Sequence, residues 1–247
     1  VQNILKPITD IFSKIFHVFY VYMSGFGIDK GTSYVIAVIL LTILVRLLIL
    51  PLTMKQLKSQ AGMQEIQPLL KEVQQKYKNN PEKLNAETMR IYKENNVSMA
   101  GGCLPLFIQM PILFALYYVF YSLPGTQGVP FLWIPNLQSH DPYYILPVLS
   151  GLSTYASSYL MSKSTSQNGQ QGPINMGAMN IGMALMLGFM SMKFPALLVI
   201  YWITGNIIQI IQTYFLMTRP MKKKMMAKEA AAGVIDVTPK KNNKKKK

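Results

Sequence analysis

Cysteine occurs once in this chain, at Cys103, and histidine twice, at His17 and His140. A single thiol excludes an internal disulfide and any cysteine-based zinc site. Acidic residues are also scarce, ten Asp and Glu against 25 Lys and Arg. None of them, and neither histidine, falls within the five longest apolar stretches. Intramembrane aspartyl, Ser-His and His-Glu metal catalysis therefore lack their parts, as does an acidic proton relay of the kind pumps use. Enzyme chemistry and proton-coupled transport are disfavoured, and no cofactor or metal is expected.

Charge of either sign is missing from five blocks: Tyr34 to Leu52, Cys103 to Leu123, Tyr143 to Met161, Ile174 to Met192 and Ala196 to Met217. Together they hold one charged residue, Arg46. About 20 apolar residues at ~1.5 Å rise cover a ~30 Å hydrocarbon core. The pattern predicts an all-α polytopic membrane protein with spans at 34–52, 103–123, 143–161, 174–192 and 196–217. The connecting segments are then 1–33, 53–102, 124–142, 162–173, 193–195 and the tail 218–247.

The basic residues orient these spans. If the first runs from outside to inside, the inner segments hold twenty Lys and Arg and the outer ones four. Positive charge favours the cytoplasmic side, which predicts a plasma-membrane protein with its N-terminus outside and its C-terminus in the cytoplasm. A 33-residue outer segment generally needs a leading signal, so the sequence is expected to be a trimmed form.

Residues 4–23 set Ile4, Ile8, Ile11, Phe12, Ile15, Phe16, Phe19, Tyr22 and Met23 at helical spacing opposite Lys6, Thr9, Asp10, Ser13, Lys14 and His17. This predicts an amphipathic helix, lying in the outer interface or packed on the protein's own loops. Segment 53–102, with eight basic and five acidic residues, reads as a helical hairpin. Ile66, Leu70, Val73 and Tyr77 mark its first helix, with a kink expected at Pro68. Asn80-Pro81 is an N-cap with proline at N1, and Leu84, Thr88, Ile91 and Tyr92 mark the second helix. Further kinks are expected at Pro111 and Pro147, and a tight turn at Lys193-Phe194-Pro195. The tail, with lysine runs at 222–224, 240–241 and 244–247, is expected to be disordered and polybasic. Such runs bind anionic lipid head groups or ribosomal RNA through charge; no direct DNA contact is expected.

Within the spans, Arg46 has no carboxylate to pair with. Snorkelling to the inner head groups is one solution, and a water-accessible cavity the other. Ser150, Ser153, Thr154, Ser157 and Ser158 share one face of the third span. Trp202, Asn206, Gln209, Gln212 and Thr213 form a stripe on the fifth, and the second contributes Gln109. Each stripe alone suits helix packing; three of them beside an unpaired arginine favour a shared hydrophilic groove. Met176, Met179, Met183, Met186 and Met190 form an adaptable apolar row on the fourth span, suited to varied partners or to plain packing.

Four runs carry a family resemblance: Ile43–Leu52 around Arg46 and Pro51, Gly102–Ile112 around Gln109, Asp141–Pro147, and Tyr201-Trp202-Ile-Thr-Gly205-Asn206. They resemble the bacterial YidC/Oxa/Alb family of membrane protein insertases, in its shorter Gram-positive type, over roughly residues 20–217. The resemblance implies five helices around a cytoplasm-open, lipid-open groove containing Arg46 and lined by Gln109 and Trp202. It implies a mobile hairpin that recruits nascent membrane proteins, a tail that assists ribosome contact, and work beside the Sec translocon. Where relatives are expected to carry Gln in the third span, this chain has Ser157 and Ser158.

The expected function is insertion and chaperoning of membrane proteins, with Arg46, Gln109, Ser157, Trp202, Asn206 and Gln209 facing substrate. An anion or polar-solute channel using Arg46 as its selectivity charge is the rival, and a structural scaffold for Sec a third reading.

Overall fold

The computed structural model describes residues 2–97, 104–122, 126–163 and 176–231, and these are helical without a β-strand. Helix α1 (Gln2–Ser24) leads into α2 (Lys30–Leu48), α3 (Leu50–Lys76) and α4 (Pro81–Glu94). Then follow α5 (Leu104–Ser122), α6 (Ile145–Lys163), α7 (Met176–Ser191), α8 (Ala196–Thr213), a π-helical turn (Tyr214–Thr218) and α9 (Arg219–Ala231). Two helical runs among the described residues are long and apolar enough to cross a membrane, Lys30–Leu48 and Ala196–Lys223. Shorter apolar stretches lie in α5 (Gln109–Tyr121) and α7 (Ile181–Ser191).

Helix α2 starts at Lys30, four residues ahead of the apolar stretch, because the carboxylate of the Asp29 N-cap accepts from Thr32 N–H at 2.9 Å. That hydrogen bond holds the exposed Asp29 carboxyl below its ordinary value. The helix breaks at Ile49, inside the apolar stretch, and Pro51 opens α3, where its missing N–H costs nothing. Arg46 is therefore in the last turn of α2. Pro147 likewise occupies the first turn of α6, so it starts that helix where a kink was expected.

The largest buried cluster joins α1, α2, α5, α8 and the loop 126–144. Phe16 of α1, 1% exposed, stacks on Tyr34 at 5.8 Å and meets Phe120 edge-on at 6.0 Å. Helix α1 thus packs on α2 and α5 while Ile11, Val18, Val21 and Tyr22 stay exposed on its other faces. The loop is stitched to three helices. Ser139 and Leu137 carbonyls accept from Ala196 N–H (2.9 Å) and Leu197 N–H (3.3 Å), satisfying the start of α8. Buried Asp141 accepts from Leu146 N–H (2.6 Å), Tyr143 N–H (3.0 Å) and Trp133 Nε1 (3.0 Å), tying the loop to the start of α6. Gly31 touches Pro130 so closely that an ideal Cβ would lie 1.9 Å from its carbonyl oxygen.

Helices α3 and α4 pack through a small separate core of Ile66, Leu70 and Ile91. Asn80 caps α4, accepting from Lys83 N–H at 3.0 Å. Past the π turn the helix continues through the basic segment to Ala231, correcting the expectation of disorder for residues 219–231. Met, Lys and Ala are strong helix formers, and a preceding helix removes the cost of nucleation. The tail after Ala231, most of loop 162–173, and the side chains of Met176 and Met179 lie outside the described residues.

Many large apolar side chains face outward, among them Leu48 (68% exposed), Leu185 (68%) and Phe189 (67%). A water-soluble chain rarely leaves so broad an apolar surface uncovered, whereas hydrocarbon accepts it at no cost.

Candidate functional site

Arg46 projects from the last turn of α2 onto α8, half-buried. Its seat is Gly205: an ideal Cβ there would lie 3.1 Å from Arg46 Nη2. Glycine gives the guanidinium its closest seat, since a Cβ would press it away by a few tenths of an ångström, so the Tyr201-Trp202-Ile-Thr-Gly205-Asn206 run carries a steric role beside its polar one. Tyr201, one turn earlier on α8, lies within electrostatic reach of Arg46. Its hydroxyl accepts from Gln109 Nε2 of α5 at 2.7 Å. Among the described residues no carboxylate pairs with Arg46.

The adjoining flank of α8 is bonded to α6. Trp202 Nε1 donates to Thr154 Oγ1 at 3.2 Å, and the Asn206 carboxamide lies 2.9 Å from both Ser153 Oγ and Thr154 Oγ1. With its oxygen turned toward α6, Asn206 accepts from both hydroxyls and from Trp202 Nε1 at 3.3 Å. Buried Ser150 and Ser157 extend the α6 stripe by a turn in each direction, and half-buried Gln209 extends that of α8. The geometry brings Arg46, Trp202 and Asn206 together around one turn of α8, with Gln109 joined through Tyr201. Ser157 and Gln209 lie on the same faces, but their side chains make no hydrogen bond among the described residues.

Toward α3 the polarity continues with fewer partners. Gln212 Oε1, Thr213 Oγ1 and Thr218 Oγ1, at the end of α8 and in the π turn, are buried without a hydrogen-bond partner among the described residues, as are Gln56 Nε2 and Gln60 Oε1 on α3. Buried polar atoms left in this state cost about 1–3 kcal/mol each, so this region favours hydration. Sequence reasoning missed Gln56 and Gln60, which sit in a segment whose polarity looks like ordinary surface. It also missed Gly205 and Tyr201; the only signal for either was its place in the Tyr201–Asn206 run.

Chemically, the site offers a fixed cation with five N–H donors beside a ladder of hydroxyl and amide groups. That suits weak, reversible capture of carboxylates and of unpaired backbone. No cluster of metal-ligating side chains occurs among the described residues. At the other end of the bundle Ile134 and Leu137 of the stitched loop are buried together with Phe120 of α5, so a pore open at both faces finds no support.

A family described as 60Kd inner membrane protein matches residues 26–224. The membrane protein insertase YidC of Clostridium perfringens is 54% identical over 233 residues, covering 92% of this chain and 97% of its own. That of Clostridium tetani is 39% identical over 218 residues, covering 88% and 96%. Among solved structures, an active YidC insertase with its first transmembrane domain resolved superposes with a TM-score of 0.62 at 24% identity. The match covers 87% of this chain and 46% of that one. The chain thus spans less than half of that structure and nearly the full length of these curated relatives.

Proposed function

The chain belongs to the YidC family of membrane protein insertases, and from that premise we propose that it captures short acidic tails of nascent membrane proteins at Arg46 and releases their apolar segments sideways into lipid. The observation that carries the mechanism is an arginine without a carboxylate partner, seated on Gly205 beside the α6–α8 polar ladder. Five helices, α2, α5, α6, α7 and α8, cross the membrane around a groove that opens toward α3 and is closed beneath loop 126–144. The excess of basic residues on the α3, α4 and α9 side supports a cytoplasmic location for that side and an outer one for the N-terminus.

An ion pair at about 4 Å and an effective dielectric of ~20 gains roughly 4 kcal/mol before desolvation. That holds a tail without trapping it, and burial of the following apolar segment at ~25 cal/mol/Å² supplies the larger driving force. The α3–α4 hairpin receives substrate, the basic tail steers toward ribosomal RNA, and the protein also works beside the Sec translocon as a folding aid. It performs no covalent chemistry in this role.

The test is insertion of a single-span protein with an acidic N-terminal tail into liposomes containing only this protein. Arg46→Ala is expected to lower insertion about tenfold, as loss of an interaction of about 1.4 kcal/mol would, and Arg46→Lys to retain most of it. Equal insertion by wild type and Arg46→Ala would overturn the role of the charge. Insertion by none of the three would shift the assignment to a scaffold for Sec.

A further inference from the structure

A second concavity, of about 520 Å³, lies between the first turns of α3 and the π turn with the start of α9. Pro51, Met54, Leu57 and Ala61 form one wall, and Leu216, Met217, Pro220 and Met221 the other. None of the groove residues named for insertion lines it, and its first wall is the start of the α3–α4 hairpin. Its size falls in the range of about 300–1,000 Å³ in which small ligands bind.

On α3 the apolar run ending at Leu52 gives way to Lys55 and Lys58, which themselves line the cavity. Next to the other wall in sequence, Arg219, Lys222 and Lys223 are exposed. No acidic residue occurs on α3 before Glu65 or on α9 before Glu229. Among the described residues none of the five cations forms an ion pair. An apolar slot with methionine-rich walls therefore carries two unpaired lysines in its lining, and three further unpaired cations flank Pro220 and Met221 of its second wall in sequence.

We infer that this slot is a binding site for one anionic phospholipid of the inner leaflet, its acyl chain against Met54, Met217 and Met221 and its phosphate at Lys55 and Lys58. Methionine walls suit a flexible chain, and a basic pocket between helices at the cytoplasmic side is the environment in which lipid phosphates are held. The π turn contributes by geometry. It takes one more residue than an α-turn, which rotates the faces of α9 relative to α8 by about 100°.

The test is lipid retention by the purified full chain, reconstituted in equimolar phosphatidylglycerol and phosphatidylcholine, extracted in mild detergent and read by native mass spectrometry. Wild type is expected to retain phosphatidylglycerol at least about fivefold over phosphatidylcholine. Lys55→Gln with Lys58→Gln should erase that preference, and Ala61→Trp, which fills the slot, should lower retention of both lipids. Neutralising Lys240, Lys241 and Lys244–Lys247 to Gln should leave the preference unchanged. Equal retention of the two lipids by wild type, or a preference lost with the tail lysines and kept by the Lys55/Lys58 variant, would overturn the site. So would displacement of phosphatidylcholine and phosphatidylglycerol alike by an acidic amphipathic peptide, which would make the slot a peptide groove. Retention is read without insertion, so a failure here leaves the Arg46 mechanism standing, and the reverse holds as well.

Discussion

The two ends of the helical bundle solve the same problem in opposite ways. At the end covered by loop 126–144, nearly every buried polar group described has a partner: Asp141 takes three hydrogen bonds, the start of α8 is satisfied by loop carbonyls, and the aromatic rings of Phe16, Tyr34 and Phe120 interlock. At the end facing α3, five buried polar atoms have no partner among the described residues and Arg46 has no counter-ion there. A region whose polar groups are paired is stable as it stands, and one whose buried polar atoms lack partners favours hydration. The contrast makes the described bundle one-sided, which is the asymmetry that the proposed mechanism uses.

The comparison can be broken hardest at Gly31. Alanine there would thrust a Cβ to 1.9 Å from the Pro130 carbonyl oxygen, a backbone atom that cannot swing aside. Gly31→Ala is expected to destabilise by about 1–3 kcal/mol, toward the upper limit, read as a lowered thermal midpoint in detergent. Asp141→Asn should cost roughly 2 kcal/mol, because an amide nitrogen would then face an N–H donor where a carboxylate oxygen accepted. Limited proteolysis within loop 126–144 should become faster in that variant.

At the α3 end the sign reverses. Gln212→Leu removes a buried atom that has no partner and is expected to raise stability by about 1 kcal/mol while lowering insertion in the liposome assay. A fall in the thermal midpoint would mean that the α3 end is as fully paired as the other. The smallest effect belongs to Asp29, whose carboxyl is held below its ordinary value near 3.8 by the Thr32 N–H. A depressed pKa stabilises the folded state above the unfolded value and loses that contribution as pH falls through the folded one. Wild type should therefore lose part of its thermal margin over Asp29→Asn below about pH 4, and the two should keep a constant difference between pH 6 and pH 8.

Much of this architecture was legible because its strongest signals are absences. Sweeping charge from whole blocks of sequence leaves a trace that no local propensity can blur, and the serine-threonine stripe on α6 kept helical spacing through to its bonds with Asn206. Asn80-Pro81 likewise marked the start of α4, since a cap and a proline at N1 are both local. What escaped was set by three-dimensional company. Nothing in the spacing of α1 singles out Phe16 as the residue that docks between Tyr34 and Phe120. Gly205 is an ordinary helical glycine until Arg46 arrives from 159 positions earlier in the chain. The continuation of α9 was hidden by composition, because lysines that suggest a solvated coil are also good helix formers once a helix already leads into them.

One contact bears on how such a groove can move. Gly151 of α6 and Gly188 of α7 meet backbone to backbone, an ideal Cβ on Gly188 lying 3.5 Å from the Gly151 Cα and from the Pro147 carbonyl oxygen. With no side chains between them to act as bearings, the two helices have nothing to roll on. A side chain larger than a methyl group at either glycine would push the two backbones apart, so α6 and α7 hold their close approach only while both positions stay small.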